Sequence, residues 1–166
     1  MKVVFFSESG IVGKVDRKFP NARNDIAWSI MMDADWCPYG KTPTEKYDLG
    51  VVTIPKTKPN LDVDWFKQYC DKIAIMQEGP HWYFQDYSVE QQFQFVENLR
   101  KADWVWCHNK SDVSYYEGLG CKDVRVMRTL MLPEGLDCQL TTSQKNGIIL
   151  GGNFTSWYSG LDSYLI

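Results

Sequence analysis

Two residues stand out by type and place. Glu78 and His81, three positions apart, follow the apolar run Ile73-Ala74-Ile75-Met76. An imidazole exchanges protons near neutral pH, and a carboxylate can act as a base or hold a ligand hydroxyl. The run before them has no polar residue, the pattern of a strand buried on both faces of a parallel sheet. Gly79-Pro80 stops it. In open parallel sheets the ligand crevice lies outside the carboxyl ends of the strands, which is where these two side chains would stand. The plain structural alternative is a strand-end carboxylate cap and a turn histidine covered by Trp82, Tyr83 and Phe84. Those aromatic residues, with Tyr87, could stack on a sugar face or on bases, although rings at such positions mostly serve the core.

A second candidate is the small-residue loop 7–13 (SESGIVG), where Ser9, Gly10 and Gly13 would let a backbone approach a ligand or simply turn the chain. No G-x-G-x-x-G and no G-x-x-x-x-G-K-[ST] is present, so neither a dinucleotide fingerprint nor a P-loop is supported. Ser7 and Ser9 lie outside any G-x-S-x-G setting, which leaves little basis for a serine hydrolase. Arg128, at the end of a strand-like run, could meet a phosphate or sit at the surface. Two histidines and five cysteines with no C-x-x-C pair offer few zinc ligand sets, so no metal is expected.

The elements that must position these residues alternate. Strands are expected over residues 2–6, 49–54, 73–76, 104–107 and 124–127. Asn21 or Asn24 can cap a helix carrying Ile26, Ala27, Ile30, Met31 and Ala34. Residues 36–44, with three turn-forming positions in Pro38, Gly40 and Pro43, read as a loop, and a short helix over 62–69 turns Trp65, Phe66 and Tyr69 inward. Ser88 and Gln91 form a capping box, after which Val89, Phe93, Val96 and Leu99 make an apolar stripe. A further helix runs from Ser111 to Gly118 or Gly120. Strands alternating with helices predict an α/β fold, doubly wound, with helices on both faces of a mostly parallel sheet.

At 166 residues the chain has room for one ordinary core. Its formal net charge of −3 gives no broad footprint for nucleic acid or an anionic membrane. No apolar stretch of transmembrane length occurs, and Met1 leads into a strand-like run without a signal-peptide core, so no transmembrane segment and a cytoplasmic location are expected. Residues 1–140 read as one domain, 141–147 (TTSQKNG) as a linker, and 148–166 as the first strand and turn of a second unit. The apolar tail of that unit is expected to pack back or to pair with its copy in a homodimer.

The strings DKIAIMQEGPHWYFQDY and ADWVWCHNKSDVSYYEGLGCKDVRVMRTLMLPEG, set in this arrangement, resemble glycosyltransferases of the GT-B fold, and among them the family 4 (group 1) type. The resemblance implies a Rossmann-like, acceptor-side N-terminal domain truncated at the start of its donor-side partner. It places His81 next to the donor sugar and reacting face, and the loop with Gly10 and Gly13 beside the donor diphosphate. Ser9, Arg128, Gly151 and Gly152 join the donor-binding set. It further implies transfer from a nucleotide-sugar, commonly with retention and without an obligatory metal or other cofactor. The family usually carries basic residues after the first strand of its second domain, whereas residues 153–160 here have none. A non-catalytic Rossmann-like domain binding a nucleotide or a partner protein is the alternative.

Overall fold

The structure, a computed structural model, describes residues 1–17, 23–54, 61–77, 87–130 and 132. Among them seven strands form one sheet in the order β2-β3-β1-β4-β5-β6-β7. The strands are β1 (Val3–Ser7), β2 (Gly13–Lys14), β3 (Asp35–Pro38), β4 (Tyr47–Thr53), β5 (Cys70–Met76), β6 (Trp104–Cys107) and β7 (Val124–Val126). All neighbouring pairs are parallel except β2 with β3. The fold is therefore the expected α/β arrangement. From β1 the chain steps outward to β3, returns to place β4 on the other side of β1, and then proceeds strand by strand to β7. The direction of winding reverses between β1 and β4.

Each face of the sheet has its own apolar layer, because successive side chains of a strand point to opposite faces. Val4, Phe6, Val52, Ile73, Ile75 and Val105 join the inward residues of α2 (Val63–Phe66), α3 (Val89–Lys101) and α4 (Lys110–Gly118). Val3, Phe5, Leu49, Val51, Ala74 and Trp106 pack with α1 (Asn24–Met31) on the other face. Helices on both faces follow from the reversal, since right-handed crossovers in opposite directions deposit them on opposite sides.

Three local expectations need correction. Residues 36–44 are not all loop, because Asp35–Pro38 form β3, held between β1 and the antiparallel β2. Pro38, as the last residue of its strand, interrupts no further pairing. In α1 the N-cap position is Arg23, with no side-chain cap, and Asn24 Oδ1 instead accepts from the backbone N–H of Leu130 at 2.8 Å; Asn21 lies outside the described residues. Its inward face carries Ile26 and Ala27, while Met31 is exposed. In α3 the capping box of Ser88 and Gln91 is present in both directions. The buried stripe, however, is Phe95, Asn98 and Leu99, and Val89 and Phe93 are 63% and 68% exposed.

Asn98 is fully buried in that stripe because it has work to do there. Its Nδ2 donates to the Leu61 carbonyl, and its Oδ1 accepts from the Val63 N–H at 3.3 Å, so it serves backbone groups at the start of α2 that the short helix cannot pair itself. Asp62 caps the same helix by accepting from Asp64 N–H at 3.0 Å. Among the described residues no helix is long and apolar enough to cross a membrane.

Candidate functional site at the carboxyl edge of the sheet

The carboxyl ends of β1, β4, β5 and β6 share one edge, and α1 begins there. Buried polar side chains gather at this edge: Ser7, Asp25, Thr53, Gln77 and Asp112 are each at most 5% exposed. Buried polar groups need partners, and here most of them find each other.

The first group ties β1 to α1. Arg23 lays its fork on the Asp25 carboxylate, with Nε 3.1 Å from Oδ1 and Nη2 2.7 Å from Oδ2. Nη2 also donates to Ser7 Oγ at 3.0 Å, and that hydroxyl donates to Asp25 Oδ2 at 2.9 Å. The fourth donor to Asp25 is the Ile26 N–H at 2.9 Å, in the first turn of α1, where an anion is favoured by the helix dipole. Ser7 therefore has its proton committed to Asp25 and its lone pair to Arg23, which is not the setting of an activated nucleophile.

The second group joins β5, β6 and α4 through one amide. Gln77 Oε1 accepts from the His108 N–H at 3.0 Å, and its Nε2 donates to Asp112 Oδ2 at 3.0 Å, in the first turn of α4. This fixes both orientation and flip of the amide. His108 Nδ1 lies 3.3 Å from the Met127 carbonyl and 3.5 Å from Asn24 Nδ2. From there residues 127–130 run back over α1, where Trp28 Nε1 donates to the Arg128 carbonyl at 3.0 Å and Asn24 receives Leu130.

Between the two groups lies a cavity of about 310 Å³. Its described wall comprises Arg23, Asn24 and Asp25 from the start of α1, Thr53 from β4, Met76 and Gln77 from β5, and His108 after β6. That volume sits at the low end of the range for small-molecule sites, about 300–1,000 Å³. The position, beside the reversal in strand order, is where ligands bind in open α/β sheets. Thr53 is the exception to the pairing rule. Its carbonyl receives the Tyr39 hydroxyl, yet its own Oγ1 is buried without a hydrogen-bond partner.

Of the residues singled out from sequence, Glu78, His81, Gly151 and Gly152 lie outside the described residues, as do the linker 141–147 and the unit 148–166. The expectation that His81 shares an edge with Gly10 falls there too. The loop after β1 leads to the edge strand β2 before α1. Ser9 and Gly10 are exposed but rest on Trp36: the Ser9 carbonyl accepts from Trp36 Nε1 at 2.7 Å, and a Cβ at Gly10 would come within 2.6 Å of the same nitrogen. Gly10 and Gly13 have φ of +122° and +112°, backbone that side chains rarely adopt. Arg128 is exposed beyond β7, and its carbonyl rather than its guanidinium is engaged by α1. None of these four lines the cavity.

Arg23, Asp25, Thr53, Gln77 and His108 were not singled out. One signal was within reach: Gln77 directly follows the apolar run, the first polar residue past a buried strand. The described cysteines 37, 70, 107 and 121 are free, and burial pushes all four thiols up, Cys70 to about 12 and Cys121 to about 11. They are protonated near neutral pH and unsuited to thiolate chemistry. Among the described residues no three His, Cys, Asp or Glu side chains are grouped to hold a metal ion. Compared with protein-family models, curated proteins and solved structures, the chain matches none.

Proposed function

We propose that this chain is the acceptor-side domain of a GT-B type glycosyltransferase, which moves a sugar from a nucleotide-sugar to a hydroxyl-bearing acceptor and does not transfer by itself. The observation that carries the reading is the cavity beside the strand-order reversal, where the Arg23–Asp25 pair cancels its own charge and Asn24, Thr53 and Gln77 add uncharged donors and acceptors to the described wall. A crevice of that character suits a hydroxyl-rich acceptor better than a diphosphate, which would call for unopposed cations or open backbone N–H groups. On this reading Glu78 and His81, next in the chain after Gln77, are the catalytic candidates. His81 faces the donor sugar, and Glu78 holds or deprotonates the acceptor hydroxyl. Ser9, Gly10, Gly13, Arg128, Gly151 and Gly152 belong to the donor side.

A non-catalytic nucleotide- or protein-binding domain is the second reading, favoured by the exposed Val89 and Phe93 side by side on α3. The two separate in one experiment on residues 1–166, incubated with uridine and guanosine diphosphate sugars while nucleotide release and binding are followed. The acceptor-side reading expects no release and no nucleotide binding tighter than that of free sugars. Turnover of a nucleotide-sugar by this chain refutes the division of labour, and tight nucleotide binding without turnover selects the second reading.

A further inference from the structure

The hydroxyl of Thr53 has a consequence beyond the wall it belongs to. Thr53 is 4% exposed, and among the described residues its Oγ1 is the one buried side-chain nitrogen or oxygen without a hydrogen-bond partner. A buried hydroxyl left unpaired destabilises the fold that carries it, and valine would fill nearly the same volume without that penalty. Among the described residues Ser7, Arg23, Asp25, Gln77 and Asp112 are all engaged. Arg23 and Ser7 meet on Asp25, and the Gln77 amide is held at both ends. The unpaired group thus belongs to a residue of the cavity wall in which Arg23, Asp25 and Gln77 are already held by hydrogen bonds, the arrangement of a site formed before its ligand arrives.

The charge of the wall narrows the ligand class. An anion would have to draw the guanidinium of Arg23 from a two-point contact with Asp25, and a cation would have to draw the carboxylate from Arg23. A neutral molecule disturbs neither. Met76 adds an apolar surface beside the hydroxyl. We infer that this cavity binds a small neutral polyol or sugar, and that Thr53 selects it by pairing with one of its hydroxyl groups. Identifying that molecule as the acceptor of sugar transfer rests on the reading above; the neutral, hydroxyl-bearing ligand is argued from the described wall of the cavity.

The test is a titration of residues 1–166, with threonine methyl groups isotopically labelled, against glucose, mannose, N-acetylglucosamine and myo-inositol, with inorganic phosphate as the anionic comparison. The expected result is a saturable movement of the Thr53 methyl resonance with at least one neutral probe and none with phosphate. Thr53→Val should then weaken that binding about tenfold or more, the effect of one lost hydrogen bond to a buried partner. Its melting temperature should equal or exceed that of the parent, and Thr53→Ser should retain binding. The inference is overturned if none of the neutral probes moves the resonance, if phosphate moves it instead, or if Thr53→Val binds as the parent does. A sugar that binds while Thr53 stays unmoved removes this site and leaves the acceptor-side reading standing. Nucleotide-sugar turnover by the chain does the reverse.

Discussion

Replacing Asp25 with asparagine removes one charge and almost no volume from a carboxylate at the carboxyl edge that is held by several donors. The carboxylate accepts four hydrogen bonds, from Arg23 Nε and Nη2, Ser7 Oγ and the Ile26 N–H. An asparagine keeps one oxygen. Its amide nitrogen is best placed where Oδ2 now lies, because the Ser7 hydroxyl can rotate to accept from it while Arg23 Nη2 can only donate. The loss is then the 2.7 Å charge-assisted bond and the opposing charge of a partly buried guanidinium. Breaking a fully buried ion pair destabilises by about 3–5 kcal/mol. The Arg23 side chain is 34% exposed and water relieves part of that, so we expect about 2–3 kcal/mol for Asp25→Asn. In a domain of this size that lowers the melting temperature by about 5–10 °C. Urea unfolding followed by circular dichroism measures it, and Arg23→Met with the double variant completes a cycle that isolates the pair. A loss below about 0.5 kcal/mol, the size of an ordinary surface substitution, would refute the assignment of this pair as a structural support of the cavity.

Gly50→Ala should destabilise by about 1–3 kcal/mol in denaturant titration, as overpacking does. The added Cβ would lie 2.7 Å from Cys70 Sγ, 3.1 Å from Ile73 Cδ1 and 3.2 Å from Phe6 Cε2. Ser88→Ala removes one half of a capping box and should destabilise by about 1 kcal/mol in the same assay, with hydrogen exchange quickening first in the opening turn of α3. Asp103 carries a pH dependence. Burial alone would raise its carboxyl, but the Ile73 N–H at 3.0 Å and the Lys72 ammonium at 2.9 Å outweigh burial and hold it below the usual aspartate range. A carboxyl lowered in the folded state contributes stability above its unfolded value, about pH 4, and loses it as pH falls through the lower folded value. The stability difference between the parent and Asp103→Asn should therefore be full at neutral pH and shrink in that acid window; a difference independent of pH would contradict it.

The frame of the fold was legible wherever one local signal sufficed. Ile73 to Met76 could hardly be other than a buried strand, and the Ser88–Gln91 box announced α3 before any packing was known. The inner stripe of α3 was misassigned because one of its members is Asn98, polar by type and buried only because α2 needs its amide. β3 was missed for a related reason. Asp35-Trp36-Cys37-Pro38 has neither alternation nor an apolar run, and it becomes a strand through the neighbours it pairs with on both sides. The cavity is the extreme case. Arg23, Thr53, Gln77 and His108 are far apart in the chain, match no motif, and are brought together by strand order alone.

The run of residues 127–130 bears on how the molecule comes apart. A three-residue strand at the rim of a sheet ordinarily frays first, opening and closing many times for each global unfolding. β7 is not anchored only by β6. Past the Met127 N–H, which continues the pairing with β6 at Cys107 (2.7 Å), the chain is fastened to α1 at Trp28 through the Arg128 carbonyl and at Asn24 through the Leu130 N–H. Since α1 also packs in the apolar layer that holds Val3 and Phe5 of β1, lifting the last strand means releasing contacts of the first helix as well. The rim is laced to the chain's beginning, and amides of β7 should exchange with solvent at rates shared with α1 rather than at those of a loose end.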